Sequence, residues 1–216
     1  MDNSVGLPKM YAGLDVPILP WVGNEFTSVS RRLLVLGESH YDEKLASAPL
    51  DASSISEIKN YTNEMWSAFA ARQDGRFWTN IVQVVEGKPI RECNISEAVQ
   101  RFAFYNYCNR IVASAARVAP SSADWINSRP DFDLVLSALQ PTHILVLGQR
   151  LWNNLKEDRR SDIKITVGNR TKPVCYFMAG DRLVPSLPIT HPSAAFSWLK
   201  QRRWVDALFA ETYGPR

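Results

Sequence analysis

Two apolar runs of matching form stand out along the chain, Arg32-Leu-Leu-Val-Leu-Gly37 and Thr142-His-Ile-Leu-Val-Leu-Gly148. Each is continuous rather than alternating, as expected of a strand buried on both faces of a helix-covered sheet. Each ends in glycine plus a polar residue, Gly37-Glu38 and Gly148-Gln149. The second leads straight into Leu151, Trp152 and Leu155 at helical spacing. This predicts a strand, a tight turn and a helix N-terminus. Open α/β sheets place their ligands at such turns, at the carboxyl ends of parallel strands.

Between the two runs the pattern is mostly helical. Ile55–Arg72 and Phe77–Val85 carry apolar residues three and four apart, and Asn94-Ile-Ser-Glu97 fits a variant capping box opening a third helix. Phe102–Cys108 is aromatic-rich and breaks that period, which reads as a strand end or a buried loop. Ser121–Leu139 is expected to be helical with an interruption at Pro130. Further on, Ile163–Val167 and Pro173–Met178 are β-prone runs joined by the turn formers Gly168–Lys172 and should pair as a hairpin, with Pro173 at a strand start or sheet edge. Leu183–Thr190 is another strand-like run, ending at His191-Pro192-Ser193. Phe196–Tyr213 forms an amphipathic helix. Residues 1–30 show no sustained period and read as an arm laid on a single domain over 31–216. The expected architecture is α/β, a three-layer sandwich with a central, mainly parallel sheet.

Composition narrows the class. At 216 residues, 45% hydrophobic and 22% charged, the chain can bury one substantial core. Cys93, Cys108 and Cys175 are odd in number and widely spaced, with no cluster at zinc-ligand spacing, so neither a disulfide framework nor a metal site is indicated and no cofactor is expected. No stretch approaches the ~18 apolar residues of a membrane span, and no signal-like leader is seen, so a cytoplasmic location with no membrane partner is expected. A net charge of +3 fits a nucleic-acid binder without requiring one. The arginine pairs Arg31-Arg32, Arg159-Arg160 and Arg202-Arg203 read equally well as solvated surface or as phosphate contacts.

Gly37-Glu38-Ser39-His40-Tyr41 places a carboxylate, a hydroxyl, an imidazole and a phenol directly after a buried strand. Thr190-His191-Pro192-Ser193 also follows an apolar run and precedes a helix. Two such strand ends can converge on one pocket.

These two segments carry a resemblance to the uracil-DNA glycosylase superfamily. Gly37–Tyr41 is similar to the family's first motif, which begins with Gly, carries the water-positioning acid and in one branch has Tyr at the position of Tyr41. In that branch the aspartate would fall on Ser39; in the iron-sulfur branch the acid falls on Glu38, and that branch's four cysteines are absent here. His191-Pro192-Ser193 resembles the second motif, whose histidine faces the base and whose loop enters the minor groove. Gly75-Arg76-Phe77 resembles the segment that stacks a ring on the base, and Asn106 the asparagine that reads the base edge.

The resemblance implies a divergent DNA glycosylase active in DNA repair by base flipping, with DNA, single-stranded or lesion-containing, as partner. Glu38 and His191 would be catalytic, Tyr41, Phe77 and Asn106 would contact the base, and Ser193 and Phe196 would contact DNA. Cleaving an N-glycosidic bond leaves positive charge on the sugar and negative charge on the base, so an acid that orients water and a donor aimed at the base both lower the barrier. Two other classes stay open. One is the same fold binding nucleic acid or a nucleotide without cleaving it. The other is a serine esterase, since Gly37-Glu38-Ser39 also resembles a Gly-Asp-Ser motif, with Ser39 as nucleophile and His191 near the C-terminus.

Overall fold

Leu33 and Val35 point to one side of the sheet and Leu34 and Leu36 to the other, and all four are buried. The continuous apolar run is therefore a central strand with a core on each face. The computed structural model describes residues 11, 13–47, 51–115, 118–157 and 159–213, the side chains of 159–162 and 212–213 excepted. Among them one seven-stranded sheet runs in the order β1-β3-β2-β4-β7-β6-β5. The strands are β1 (Trp21–Val22), β2 (Leu33–Tyr41), β3 (Phe102–Ala113), β4 (His143–Leu147), β5 (Arg159–Val167), β6 (Arg170–Ala179) and β7 (Arg182–Ile189).

The four central strands β3, β2, β4 and β7 are mutually parallel, whereas β1, β6 and β5 add antiparallel edges. The sheet is thus mixed rather than mainly parallel. The reason lies in the connections: β5, β6 and β7 are joined by two-residue turns, and a turn that short permits only antiparallel pairing. The hairpin forms where the sequence predicts it, but its turn is Gly168-Asn169 alone, with Gly168 at φ +62°. Pro173 pairs with β5 only, because β7 first meets β6 at Cys175. Its missing N–H therefore faces a local edge.

Helices cover both faces. On one, α2 (Ala52–Arg72), α3 (Arg76–Glu86), α4 (Ile95–Ala98) and α8 (Trp198–Tyr213) bury Trp66, Phe69, Ile81 and Leu208 against the sheet. On the other, α6 (Arg129–Leu139) and α7 (Gln149–Asn154) bury Phe132, Leu136 and Leu151, joined by Tyr11, Val16, Leu19, Val22 and Phe26 of the N-terminal arm. Residues 1–10 of that arm lie outside the described residues, and Trp21–Val22 within it supplies the edge strand β1, which the sequence did not suggest. Two short helices complete the order, α1 (Glu43–Ala46) and α5 (Ser122–Asn127), the latter followed by α6 with Pro130 in its first turn. No helix among the described residues is long and apolar enough to cross a membrane.

Three local expectations are corrected. Phe102–Cys108 is neither a strand end nor a loop but most of the longest strand, β3; Phe102 and Phe104 face one core and Ala103, Tyr105 and Tyr107 the other, so both faces are apolar and no alternation is visible. The strand beginning at Leu33 does not turn at Gly37-Glu38 but continues to Tyr41, because β3 is long enough to pair with it throughout. Asn94 does not close a capping box: its Nδ2 bonds the Glu97 carboxylate at 2.7 Å instead of the helix N–H groups, and α4 is a single turn.

Candidate functional site

The central strands place the site. From β2 the chain travels to β3 on one side, then crosses to β4 on the other side and onward to β7. Strand order therefore reverses between β2 and β4, and the crevice beyond their carboxyl ends is a topological switch point, where doubly wound sheets bind ligands. A cavity of about 710 Å³ opens there, lined by Gly37–Tyr41 of β2, Leu147–Leu151 around the start of α7, and His191 and Ser193 beyond β7. Phe77, Trp78, Phe104, Tyr61 and Asn106 form much of the remaining wall.

Glu38 is held by Arg150. The guanidinium Nε donates to Oε2 at 2.7 Å and a terminal nitrogen donates to Oε1, a two-point grip on the carboxylate. The Glu38 side chain is 11% exposed and that of Arg150 51%, so the pair reaches from the cavity wall to its mouth. Arg150, in the first turn of α7, was not singled out from the sequence. Its signal was its position, two residues past Gly148 at the second strand end.

His191 sits across the cleft in a constrained loop. Its Nδ1 accepts from the Ser193 N–H at 3.2 Å, which assigns the proton of the neutral ring to Nε2. Burial holds its pKa below the usual histidine value, the Arg150 charge lowers it further, and Glu38 partly offsets both. The ring is thus a neutral Nε2–H donor. Asn80 of α3 fixes the loop by donating to the Pro192 carbonyl at 2.8 Å, and Gln201 of α8 grips both the N–H and the hydroxyl of Thr190. Gly148, at φ +98°, lies so near that a Cβ there would stand 3.2 Å from the His191 Cβ. Backbone conformation and close approach both call for glycine.

Asn106 lies on β3 directly opposite Gly37 of β2. A Cβ on Gly37 would fall 2.0 Å from Asn106 Oδ1 and 2.9 Å from the Phe104 ring, so glycine is what admits the amide to the cavity. The Asn106 Nδ2 lies 3.1 Å from His40 Nδ1. His40 is buried and also meets Thr62 Oγ1 of α2 at 3.2 Å through Nε2. Simple alternation from Leu34 and Leu36 would have turned His40 to the opposite face. The register between β2 and β3 breaks on both sides of His40, which re-aims the side chain towards α2. Burial pushes its pKa down to about 3.

Of the residues singled out from sequence, Glu38, Tyr41, Phe77, Asn106, His191 and Ser193 all line the cavity. Phe77 stands 5.5 Å from His191 between ring centroids while also packing on the core, and Tyr41 is half-exposed at the mouth. Phe196 does not line the cavity; it is half-buried against the core on the face that α2, α3, α4 and α8 cover. Neither Arg31-Arg32 nor Arg202-Arg203 lines the cavity. Arg31 covers the Phe209 ring, Arg32 bonds the Gln140 carbonyl, and Arg202 bonds Val84, Val85 and Asp206. The side chains of Arg159 and Arg160 lie outside the described residues. No group of three metal-ligating side chains is found among the described residues.

No family model matches the chain, and no curated protein matches it either. The fold and the cleft define it as an α/β protein with a switch-point pocket that combines an arginine-gripped carboxylate, a neutral histidine donor, a primary amide and the aromatic side chains of Tyr41, Tyr61, Phe77, Trp78 and Phe104.

Proposed function

We propose that the chain is a DNA glycosylase-like protein, akin to the uracil-DNA glycosylases, that hydrolyses the N-glycosidic bond of a damaged or deaminated base in single-stranded or lesion-containing DNA. The observation that carries this reading is that Glu38, within β2, and His191, just beyond β7, share one cleft with an aromatic wall and an amide. An extruded base needs a ring to stack on and a partner for its hydrogen-bonding edge, which together offset an unstacking cost of a few kcal/mol. Phe77 and Asn106 supply these. Water oriented by Glu38 attacks the sugar carbon, the carbon–nitrogen bond breaks, the electron pair leaves with the base, and the proton of the attacking water passes to the Glu38 carboxylate. The His191 Nε2–H stabilises the negative charge growing on the base oxygen by hydrogen bonding, and the ring keeps its proton. Tyr41 at the mouth limits which base enters.

A second reading, the same cleft binding nucleic acid or a nucleotide without cleavage, is favoured by the grip of Arg150 on Glu38. A carboxylate with both oxygens engaged by a guanidinium has fewer lone pairs left to hold a water. The two readings separate in one experiment. The purified protein is incubated with oligonucleotides carrying uracil, hypoxanthine or other lesions, and abasic sites are revealed by alkaline cleavage. Hydrolysis predicts product that falls ~10²-fold or more in Glu38→Gln and in His191→Ala. Binding that weakens as salt rises, with no abasic product on any lesion, establishes the non-cleaving reading and rejects the enzyme.

A further inference from the structure

His40 takes no part in the chemistry above, yet it is buried at the back of the cleft and aimed there by two register breaks in β2. A neutral imidazole offers one lone pair and one N–H. The amide nitrogen of Asn106 can only donate, and it lies 3.1 Å from Nδ1 and 3.3 Å from Nε2. Thr62 Oγ1, which can accept, lies 3.2 Å from Nε2. The arrangement that satisfies both partners puts the lone pair on Nδ1 for Asn106 and the proton on Nε2 for Thr62. The rest of the Asn106 amide follows. With Nδ2 turned to His40, Oδ1 lies over Gly37, at the one point on β2 where no Cβ blocks it, and no donor among the described residues bonds it.

We propose that His40 is a positioning residue that sets the polarity of the Asn106 amide, so that Oδ1 is the acceptor offered to the ligand. This deepens the reading of the cleft as a base site and rests on it. The His191 Nε2–H donor belongs to the same cavity lining. An acceptor and a donor presented together match a heterocycle edge carrying a carbonyl beside a ring N–H, the lactam or imide edge created by deamination. A ring with a bare nitrogen in place of that N–H sets acceptor against acceptor. A buried mismatch of this kind is strongly disfavoured because the site's own polar group is left unpaired. His40 holds this polarity without titrating, because its burial keeps the ring neutral at any pH near neutrality, and the groups facing it, Tyr61, Thr62 and Asn106, carry no charge there.

The test compares deoxyuridine with deoxycytidine, and deoxyinosine with deoxyadenosine, as free nucleosides titrated against the full chain. The ¹⁵N resonance of the Asn106 side-chain amide is observed throughout. In the wild type the amide protons exchange slowly and the oxo nucleoside of each pair binds about tenfold or more tightly. His40→Leu, which fills the space but accepts no hydrogen bond, brings the ratio close to one and removes the exchange protection. His40→Gln, whose carbonyl can accept from Asn106, restores much of both. A ratio that stays the same in folded His40→Leu, a wild type that binds both members equally or neither, or an unprotected Asn106 amide each overturns the inference. Nucleoside discrimination that depends on His40, without abasic product on any oligonucleotide, removes the hydrolytic reading and leaves the inference standing.

Discussion

Arg150 engages both carboxylate oxygens of Glu38, and the two residues arrive there from neighbouring strands, Glu38 within β2 and Arg150 just after β4. With Glu38 largely buried and Arg150 half-exposed, the pair orients the carboxylate at modest electrostatic cost. If Glu38 positions water, its direction matters as much as its charge. Arg150→Lys keeps the charge but loses the two-point grip, and should lower the rate of base release ~10-fold, less than Glu38→Gln at ~10². Single-turnover rates on the best lesion substrate check the order. An Arg150→Lys enzyme as fast as the wild type would mean that the grip does not orient the acid.

Gly37→Ala tests the geometry of the amide. The new Cβ would lie 2.0 Å from Asn106 Oδ1 and 2.9 Å from the Phe104 ring, so the amide must leave its place. We expect a loss of roughly 1–3 kcal/mol in stability, the usual scale for overpacking, with the fold retained. Nucleoside binding should fall further than stability alone explains. Urea denaturation together with titration of deoxyuridine measures both, and undiminished affinity would show that Asn106 does not face the ligand.

Ser39→Ala separates the glycosylase from the esterase reading. Ser39 lines the cavity, but the adjacent His40 directs its ring nitrogens to Thr62 and Asn106, and the His191 Nδ1 accepts from Ser193. The Ser39 hydroxyl therefore lacks the paired base that a serine nucleophile needs. Base release should change by less than ~5-fold, whereas an esterase would lose nearly all activity. Hydrolysis of short-chain nitrophenyl esters, abolished by this one substitution, would reverse the assignment.

The parts of the fold that the sequence displays are those with a single dominant period. The runs at Leu33 and His143 read as buried strands because both faces are apolar, and α2, α3 and α8 show their helical stripes. β3 hid because its run is aromatic rather than aliphatic and is interrupted by Asn106, although Phe102 to Tyr107 likewise alternate between two apolar cores. The cleft was legible where chemistry clusters locally, at Gly37–Tyr41 and His191–Ser193. It was not legible where function comes from pairing. Arg150 has meaning only beside Glu38, His40 only after two register breaks turn it to Asn106, and Asn80 only through the Pro192 carbonyl 112 positions away.

Stability should fall on the acid side because of histidine burial. His40 is lowered to about 3 by burial, and His143 to about 4 by burial and the Arg31 charge. An unfolded histidine titrates near ~6.5. Between these values the unfolded chain binds a proton that the folded chain refuses, so stability is fully present above about 6.5 and declines as pH falls towards the folded values. Each such histidine contributes a slope of up to ~1.4 kcal/mol per pH unit within its window. His191, lowered by burial and by Arg150 but raised by Glu38, adds a smaller part of the same sign. Denaturation followed from pH 7 down to 4.5 should show the decline in the wild type. His143→Gln keeps a polar group beside Thr142 and the Phe209 ring, away from the cleft, and should flatten the curve by one histidine's share. An unchanged slope in that variant would show that His143 takes no part in the acid sensitivity.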